Sequence, residues 1–123
     1  MQRVLIAATI IGLSAAALAA EPVILAGEIV CRLADPGEYG SVSHRVAAVD
    51  KRICDAISYE DVGNPQMKVA KRNGRWAVYI GRTYLVSVYP LDAKHYNLPE
   101  QQVAQMWASR FKKLFPLSQP VTK

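Results

Sequence analysis

The first apolar segment of the chain is an unbroken run of apolar and small residues from Val4 to Leu18. A single positive charge, Arg3, precedes the run, and the small residues Ala19 and Ala20 follow it. A cationic start, an apolar middle and an A-x-A end are typical of a secretory signal peptide that is removed on export. The run is shorter than the ~20 residues that a membrane-spanning helix needs. We therefore predict a signal peptide over 1–20, cleaved near Ala19 or Ala20, and a periplasmic or extracellular location. Retention of the segment as a membrane anchor is the alternative.

Apolar spacing predicts the first two elements of the remaining chain. The segment from Pro22 to Leu33 is rich in Val, Ile and Leu, so we expect one strand there, with alternate residues from Ile29 to Leu33 facing the core. A helix should then begin at a cap on Ser41 or Ser43 and end near Ser58. The apolar stripe of this helix consists of Val42, Val46, Val49, Ile53 and Ile57.

The strongest local signal is the pair Asn73-Gly74 between two alternating segments, 67–72 and 75–80. Asn-Gly is typical of a two-residue type I′ hairpin, because both positions of that turn need a positive φ. The turn fixes the strand register, and it places Val69 opposite Val78 on the core face. A second tight turn at Gly81-Arg82 then leads into a third strand, from Thr83 to Tyr89.

The end of the chain predicts one more helix. Asn97 can cap it, Glu100 can complete a capping box, and Pro116 should end it. The resulting order, β-α-β-β-β-α, predicts an α+β fold with a four-stranded, mostly antiparallel sheet and two helices on one face. We expect a single domain over 21–116 and a flexible tail over 117–123. The apolar stripe of the last helix consists of Val103, Trp107, Phe111 and Leu114.

The two cysteines, Cys31 and Cys54, are predicted to form a disulfide. Export would place them in an oxidising compartment, and packing of the first helix on the first strand would bring them close. Such a bond would close a loop of about twenty residues and stabilise the fold by roughly 3 kcal/mol in the chain-entropy model. The alternative is two buried thiols that pack as small apolar groups.

Charge placement points to one candidate surface. The chain has a formal net charge of +5, and no acidic residue occurs between Asp61 and Asp92. A sheet face that mixes cations with aromatic rings can bind anionic polymers or lipid headgroups. An ordinary solvated sheet face is the alternative, and a homodimer interface that includes Tyr79, Tyr84, Val86 and Val88 is a third interpretation. The candidate surface consists of Lys68, Arg72, Arg75, Tyr79 and Tyr84.

Catalytic motifs are absent from the sequence. It contains no G-x-S-x-G elbow, no H-E-x-x-H pair and no phosphate-binding glycine loop. Asp92 and His95 could share a helical turn, but two groups do not make a metal site, and His44 is far away in sequence. We predict no catalytic residues, no metal and no cofactor. A small exported hydrolase that uses His95 with Asp92, or the cysteines, remains the alternative.

Several short segments carry a family resemblance. They are the helix with Arg45 and Arg52, the Asn73-Gly74 hairpin, the strand from Leu85 to Val88, Asp92-Ala93, and the stretch from Ala104 to Ala108. In these segments the chain resembles a small bacterial extracytoplasmic domain. Such domains occur as exported stand-alone proteins and ahead of the channel in some cyanobacterial mechanosensitive-channel-family proteins. The resemblance implies a non-catalytic accessory or sensory domain without a defined ligand, so it brings no site residues.

These patterns predict an exported, non-enzymatic accessory or binding domain at the bacterial cell envelope. Its partner would be an envelope component, such as an anionic polymer or lipid, or a second copy of the chain. Because export is predicted, we expect no nucleic-acid partner. A small exported enzyme, or a subunit of a homo-oligomer or envelope complex, is the alternative.

Overall fold

The computed structural model describes residues 20–119. The predicted signal peptide, apart from Ala20, and residues 120–123 of the predicted tail lie outside the described residues. Within 20–119, no helix is long and apolar enough to cross a membrane.

The segment predicted as the first strand forms two strands in the structure. β1 (Glu21–Leu25) and β2 (Glu28–Leu33) form an antiparallel hairpin around Ala26 and Gly27, whose φ angles are 55° and 80°. Two consecutive positive φ angles are the geometry of a type I′ turn, and glycine adopts such an angle without a Cβ clash. The prediction of one continuous strand is therefore wrong.

Helix α1 (Val42–Tyr59) begins where the sequence predicts, with the Ser41 side chain accepting a hydrogen bond from the His44 amide. Its buried face differs from the predicted stripe, because Ile57 is 36 % exposed while Arg45 is 1 % exposed. The buried residues of α1 are Arg45, Val49, Ile53 and Ala56.

The second sheet confirms the predicted hairpin register. Strands β3 (Met67–Arg72) and β4 (Arg75–Ile80) pair Val69 with Val78 across the Asn73-Gly74 turn. Strand β5 (Thr83–Ser87) then pairs with β4 through an irregularity in register between Val78 and Tyr79.

Two helices follow β5. Helix α2 (Pro90–Tyr96) ends at Asn97, which has a φ of 56° and donates its amide to the carbonyls of Ala93 and Lys94. Helix α3 (Glu100–Leu114) begins after Pro99. The prediction of an Asn97 cap with a capping box at Glu100 is therefore wrong, since Asn97 ends one helix rather than beginning the next. A 3₁₀-helix, Phe115–Ser118, continues the chain into the segment predicted as tail.

The α+β class holds, but the predicted four-stranded sheet is wrong. The described residues form a two-stranded sheet, β1-β2, and a three-stranded sheet, β3-β4-β5, with three α-helices. Helix α1 packs mainly on β1 and β5, while α3 packs on β2, β3 and β4, so the helices join the two sheets around one core. The extra turn at Ala26-Gly27 diverts the first strand into its own hairpin and keeps it out of the larger sheet.

The predicted disulfide is not formed. Cys31 and Cys54 are both free, with Cys31 buried on β2 and Cys54 exposed on α1. Because α1 packs mainly on β1 and β5, the Cys54 side of the helix stays at the surface, in a shallow groove beside Ile24 and Ile57. Burial raises the pKa of the Cys31 thiol well above its ordinary value.

Candidate functional site

A buried ion pair links the first helix to the second. Arg45 of α1 and Asp92 of α2 are 1 % and 0 % exposed, and they form two parallel hydrogen bonds. Arg45 Nη1 donates to Asp92 Oδ1 at 3.0 Å, and Nη2 donates to Oδ2 at 2.7 Å. This paired geometry is the strongest arrangement of a guanidinium and a carboxylate.

The same two side chains also bind backbone groups at the ends of β2 and β5, one strand from each sheet. The Asp92 carboxylate accepts the amides of Ala34 and Asp35, which follow β2, and the amide of Tyr89, which follows β5. Arg45 donates to the carbonyls of Asp35 and Ser87 at 2.7 and 2.6 Å. We call Arg45 and Asp92 with these backbone partners the polar hub. It fixes the loop after β2 against the end of β5.

A cleft of about 530 Å³ lies beside the polar hub. The loop after β2 forms one wall, α1 contributes Arg52, and the tip of the β3-β4 hairpin contributes Arg72 and Arg75. Three tyrosines complete the aromatic part of the lining: Tyr39, Tyr84 and Tyr89. We call these six side chains the arginine–tyrosine cleft.

Guanidinium groups cover the tyrosine rings of this cleft. Arg72 Cζ lies 4.0 Å and Arg52 Cζ 4.6 Å from the centre of the Tyr84 ring. Arg75 Cζ lies 4.6 Å and the buried Arg45 Cζ 4.8 Å from the centre of the Tyr89 ring. Attraction between a cation and the ring quadrupole holds these side chains in place.

The arginines of the cleft differ in how their charge is compensated. Arg52 donates to the Leu85 carbonyl at 3.1 Å and to the Tyr39 hydroxyl at 2.8 Å. Arg75 has a distant carboxylate partner, with 3.8 Å between its Nη1 and an oxygen of Glu100. Among the described residues, neither Arg52 nor Arg72 has a carboxylate oxygen within 4.0 Å.

The carboxylates that line the cleft do little to neutralise it. Asp35 accepts the Gly37 amide on one oxygen and the Leu91 amide on the other, so it is engaged by its own loop. Glu38 is exposed at the surface. The cleft therefore offers guanidinium charge that no neighbouring acid pairs with closely.

The Tyr89 hydroxyl stays protonated to higher pH than an ordinary tyrosine. Burial raises the pKa of Tyr89, and the nearby Glu38 carboxylate raises it further. The tyrosine next to the arginines is thus neutral at physiological pH and adds no negative charge to the cleft.

The structure brings together part of the surface predicted from the sequence. Arg72, Arg75 and Tyr84 line the cleft, whereas Lys68 and Tyr79 lie farther along the same sheet face. Lys68 Nζ lies 5.0 Å from the centre of the Tyr79 ring, and the Tyr79 and Tyr84 rings are 5.6 Å apart. Neither residue lines the cleft itself, and the Tyr79 hydroxyl beside Arg72 raises the pKa of that guanidinium.

Sequence reasoning missed the wall opposite the hairpin. Tyr39 lies in a loop, Arg52 on a helix and Tyr89 between β5 and α2, and no local pattern joins them. The one available signal is that Arg45 and Arg52 are seven positions apart on α1, a spacing that places both on one side of a helix.

The other candidate residues are not assembled into a site. His44 is exposed and close to the Ser41 hydroxyl, while the exposed His95 packs its ring against Tyr96. Asp92 makes its hydrogen bonds within the polar hub, and none of them, in the described structure, involves a histidine. Within 20–119, no group of three or more His, Cys, Asp or Glu side chains could hold a metal ion.

The face considered for sheet-to-sheet pairing is only partly available to a partner. Val86 and Val88 are 1 % and 0 % exposed within the chain itself, and both belong to its core. Tyr79 and Tyr84 remain half-buried at the surface.

Comparison with known proteins identifies a family without an assigned activity. No curated protein and no solved structure matches the chain. One family model matches residues 22–115, a range that includes all elements from β1 to α3 except the first residue of β1. The range also includes Arg45 and Asp92 of the polar hub and the whole arginine–tyrosine cleft. On this match the chain belongs to the family described as a domain of unknown function, DUF8459.

Proposed function

We propose that this protein is an exported, non-enzymatic domain that binds an anionic component of the bacterial cell envelope through the arginine–tyrosine cleft. One observation carries the proposal. Two guanidinium groups, those of Arg52 and Arg72, lie in a concave site with no carboxylate within 4.0 Å among the described residues.

The arrangement of the arginines favours a ligand-binding site over an ordinary charged surface. A flexible surface cation loses side-chain entropy when it pairs with a ligand, which reduces the gain in free energy. Stacking on Tyr84 and Tyr89, and the two hydrogen bonds of Arg52, restrict these side chains before any ligand arrives. An anion that enters the cleft would therefore meet donors that are already oriented.

The residues that line the arginine–tyrosine cleft give no support to a catalytic function. General acid–base chemistry needs a titratable group within hydrogen-bond reach of a bound substrate. Of the carboxylates near the cleft, Asp35 binds two backbone amides, Asp92 is held by Arg45, and Glu38 lies exposed at the surface, where no described histidine, cysteine or serine is hydrogen-bonded to it as a nucleophile. We therefore assign the cleft to binding.

The predicted signal peptide supports an envelope location. Envelope polymers and anionic lipids would be the negatively charged surfaces that an exported basic protein meets. N-terminal sequencing of the protein recovered after expression of the full chain tests export directly. We expect a mature protein that begins near Glu21 and is found outside the cytoplasm. Recovery of an intact N-terminus from the cytoplasm would overturn this part of the proposal.

Sedimentation with anionic envelope material tests the binding function. The purified protein is mixed at low salt with phosphatidylglycerol vesicles, with phosphatidylcholine vesicles, or with insoluble cell-wall polymer. We expect retention on at least one anionic phase, none on the neutral vesicles, and release by added salt, because salt screens charge contacts. Arg72→Gln should weaken retention more than Arg82→Gln, which removes the same charge from an exposed turn outside the cleft. Absence of retention on every anionic phase at low salt would refute the function.

A further inference from the structure

The tip of the β3-β4 hairpin places two like charges side by side. Arg72 and Arg75 are direct cross-strand partners on either side of Asn73-Gly74. The Cβ atoms of such partners lie about 4.5–5.5 Å apart, and like charges at this distance destabilise a hairpin. Glu100, 3.8 Å from Arg75 Nη1, offsets part of this repulsion, and an anion between the two guanidinium groups would offset the remainder. A site that is electrostatically unfavourable when empty is expected where a ligand completes it.

Stacking determines which atoms of these arginines a ligand can reach. Arg72 lies over Tyr84 and Arg75 over Tyr89, with Cζ-to-centroid distances of 4.0 and 4.6 Å. A guanidinium has five N–H donors, so one that lies over a ring and contacts a neighbouring hydroxyl still has donors for a ligand. The Tyr84 and Tyr89 rings each have two guanidinium groups within 4.8 Å of their centres, so both rings already have cationic partners before a ligand binds. Recognition in this cleft therefore depends on N–H donors and charge.

Cleft size limits the kind of anion. A volume of about 530 Å³ is within the range of small-molecule sites and describes a concave site rather than a flat lipid-facing surface. Arg52 supplies a third cation from the opposite wall, fixed by the Leu85 carbonyl and the Tyr39 hydroxyl. Three positive groups around one cavity suit a group that presents two or more oxygens together.

We propose that the cleft binds one compact oxyanion, a phosphate or carboxylate carried on a larger molecule, through paired N–H···O bonds from Arg72 and Arg75. This inference rests on the proposed anion-binding function and specifies its ligand chemistry. The oxyanion binds between the two hairpin arginines, facing Arg52, and its carrier extends into the remainder of the cleft. A lipid headgroup and a soluble phosphate ester share this chemistry.

Isothermal titration calorimetry with soluble probes tests the proposal. The probes are inorganic phosphate, glycerol 3-phosphate and galacturonate, and phosphatidylglycerol vesicles form a separate arm. We expect saturable binding of at least one soluble probe. Soluble glycerol 3-phosphate should also displace the protein from the vesicles if the headgroup occupies the cleft.

The variant Arg72→Lys tests whether the anion needs the paired donors of a guanidinium or only a positive charge. Lysine keeps the positive charge but lacks the planar fork, so it cannot donate two parallel hydrogen bonds to one oxyanion. We expect Arg72→Lys to weaken binding about tenfold or more, as expected for the loss of one charge-assisted hydrogen bond. Arg82→Lys is the matched control and should bind as tightly as the unmodified protein. Arg72 and Arg82 are both exposed, so both variants should fold, and circular dichroism checks this.

The outcomes distinguish this inference from the proposed function. If Arg72→Lys binds as tightly as the unmodified protein, charge alone suffices and the paired-donor recognition is wrong, while anion binding stands. If vesicles or cell-wall polymer retain the protein but no soluble probe binds or competes, the compact oxyanion is wrong and an extended anionic surface is the ligand. If nothing anionic binds, both proposals fail.

Discussion

Removing the Asp92 carboxylate tests whether the polar hub is the main polar contribution to the free energy of unfolding. In Asp92→Ala, Arg45 would keep its charge while 1 % exposed and would lose both of its hydrogen bonds to the carboxylate. The amides of Ala34, Asp35 and Tyr89 would lose their acceptor at the same time.

The expected loss is a large part of the folding free energy. Breaking a buried ion pair by removing one partner costs about 3–5 kcal/mol. Each buried amide left without an acceptor adds about 1–3 kcal/mol, although such costs are not additive. A domain of about one hundred residues has a total stability of about 5–15 kcal/mol. We therefore expect Asp92→Ala to lose at least ~4 kcal/mol, which shifts the urea midpoint by about 2 M at an m value of about 2 kcal/mol/M.

Urea denaturation followed by tryptophan fluorescence measures this loss, since Trp107 is 0 % exposed in the core. Asp55→Ala is the matched control, because it removes an aspartate from the exposed pair with Lys51 on α1. Exposed pairs of this spacing contribute about 0.3–0.5 kcal/mol, so the control should barely move the midpoint. A loss below about 1 kcal/mol for Asp92→Ala would refute the reasoning.

A double variant separates the ion pair from its backbone bonds. Replacing a buried ion pair by apolar residues of similar size is often neutral. Arg45→Met with Asp92→Leu should nevertheless remain destabilised, because the Tyr89 amide and the Ser87 carbonyl would still lose their partners. Recovery of full stability in the double variant would show that the backbone bonds of the hub contribute nothing.

Three further predictions concern the thiols, two loop glycines and the Tyr89 hydroxyl. Ellman's reagent should titrate one thiol, Cys54, in the folded protein and a second, Cys31, only in denaturant; finding neither thiol in denaturant without reductant would establish a disulfide. Gly37→Ala should lower the urea midpoint more than Gly40→Ala, because both glycines have a positive φ but only at Gly37 would the new Cβ lie 2.9 Å from Tyr89. Burial raises the pKa of Tyr89, so its contribution to stability is present below pH ~10 and is lost as pH rises further. Stability of Tyr89→Phe should accordingly fall less between pH 9 and 11, and an identical fall in both proteins would contradict this assignment.

Local turn chemistry explains what the sequence predicted well. Asn73-Gly74 needs two positive φ angles, and Asn and Gly are the residues that adopt them most readily. The register of β3 and β4, and with it the pairing of Arg72 with Arg75, follows from that turn alone. Ala26-Gly27 adopts the same geometry, but alanine rarely has a φ of 55°, so this turn gives no comparable signal.

Residues with two structural roles explain the errors in the helices. Asn97 suits both the first position before a helix and the left-handed position after one. Pro90 suits both the end of a strand and the first turn of a helix. The predicted cap uses Asn97 in the first role, whereas Asn97 ends α2 and Pro90 lies in the first turn of that helix, where no helix was predicted.

Long-range pairing explains why the site was only partly predicted. Arg45 counts as polar in any periodicity analysis, yet it is buried because Asp92, 47 positions away, neutralises it. The cleft likewise joins a hairpin tip to a loop and a helix that are distant in sequence. The hairpin half of the cleft could be predicted from strand alternation, whereas the half with Tyr39 and Arg52 depends on how α1 packs.

The polar hub also determines how the protein opens. In the described residues the two sheets share no strand ladder, and the Asp92 carboxylate binds amides that follow both of them. Hydrogen exchange should therefore give the amides of Ala34 and Tyr89 the same free energy of opening, although they lie in separate parts of the chain. Motion that released one sheet would release the other, so the walls of the cleft should open and close as a single cooperative unit.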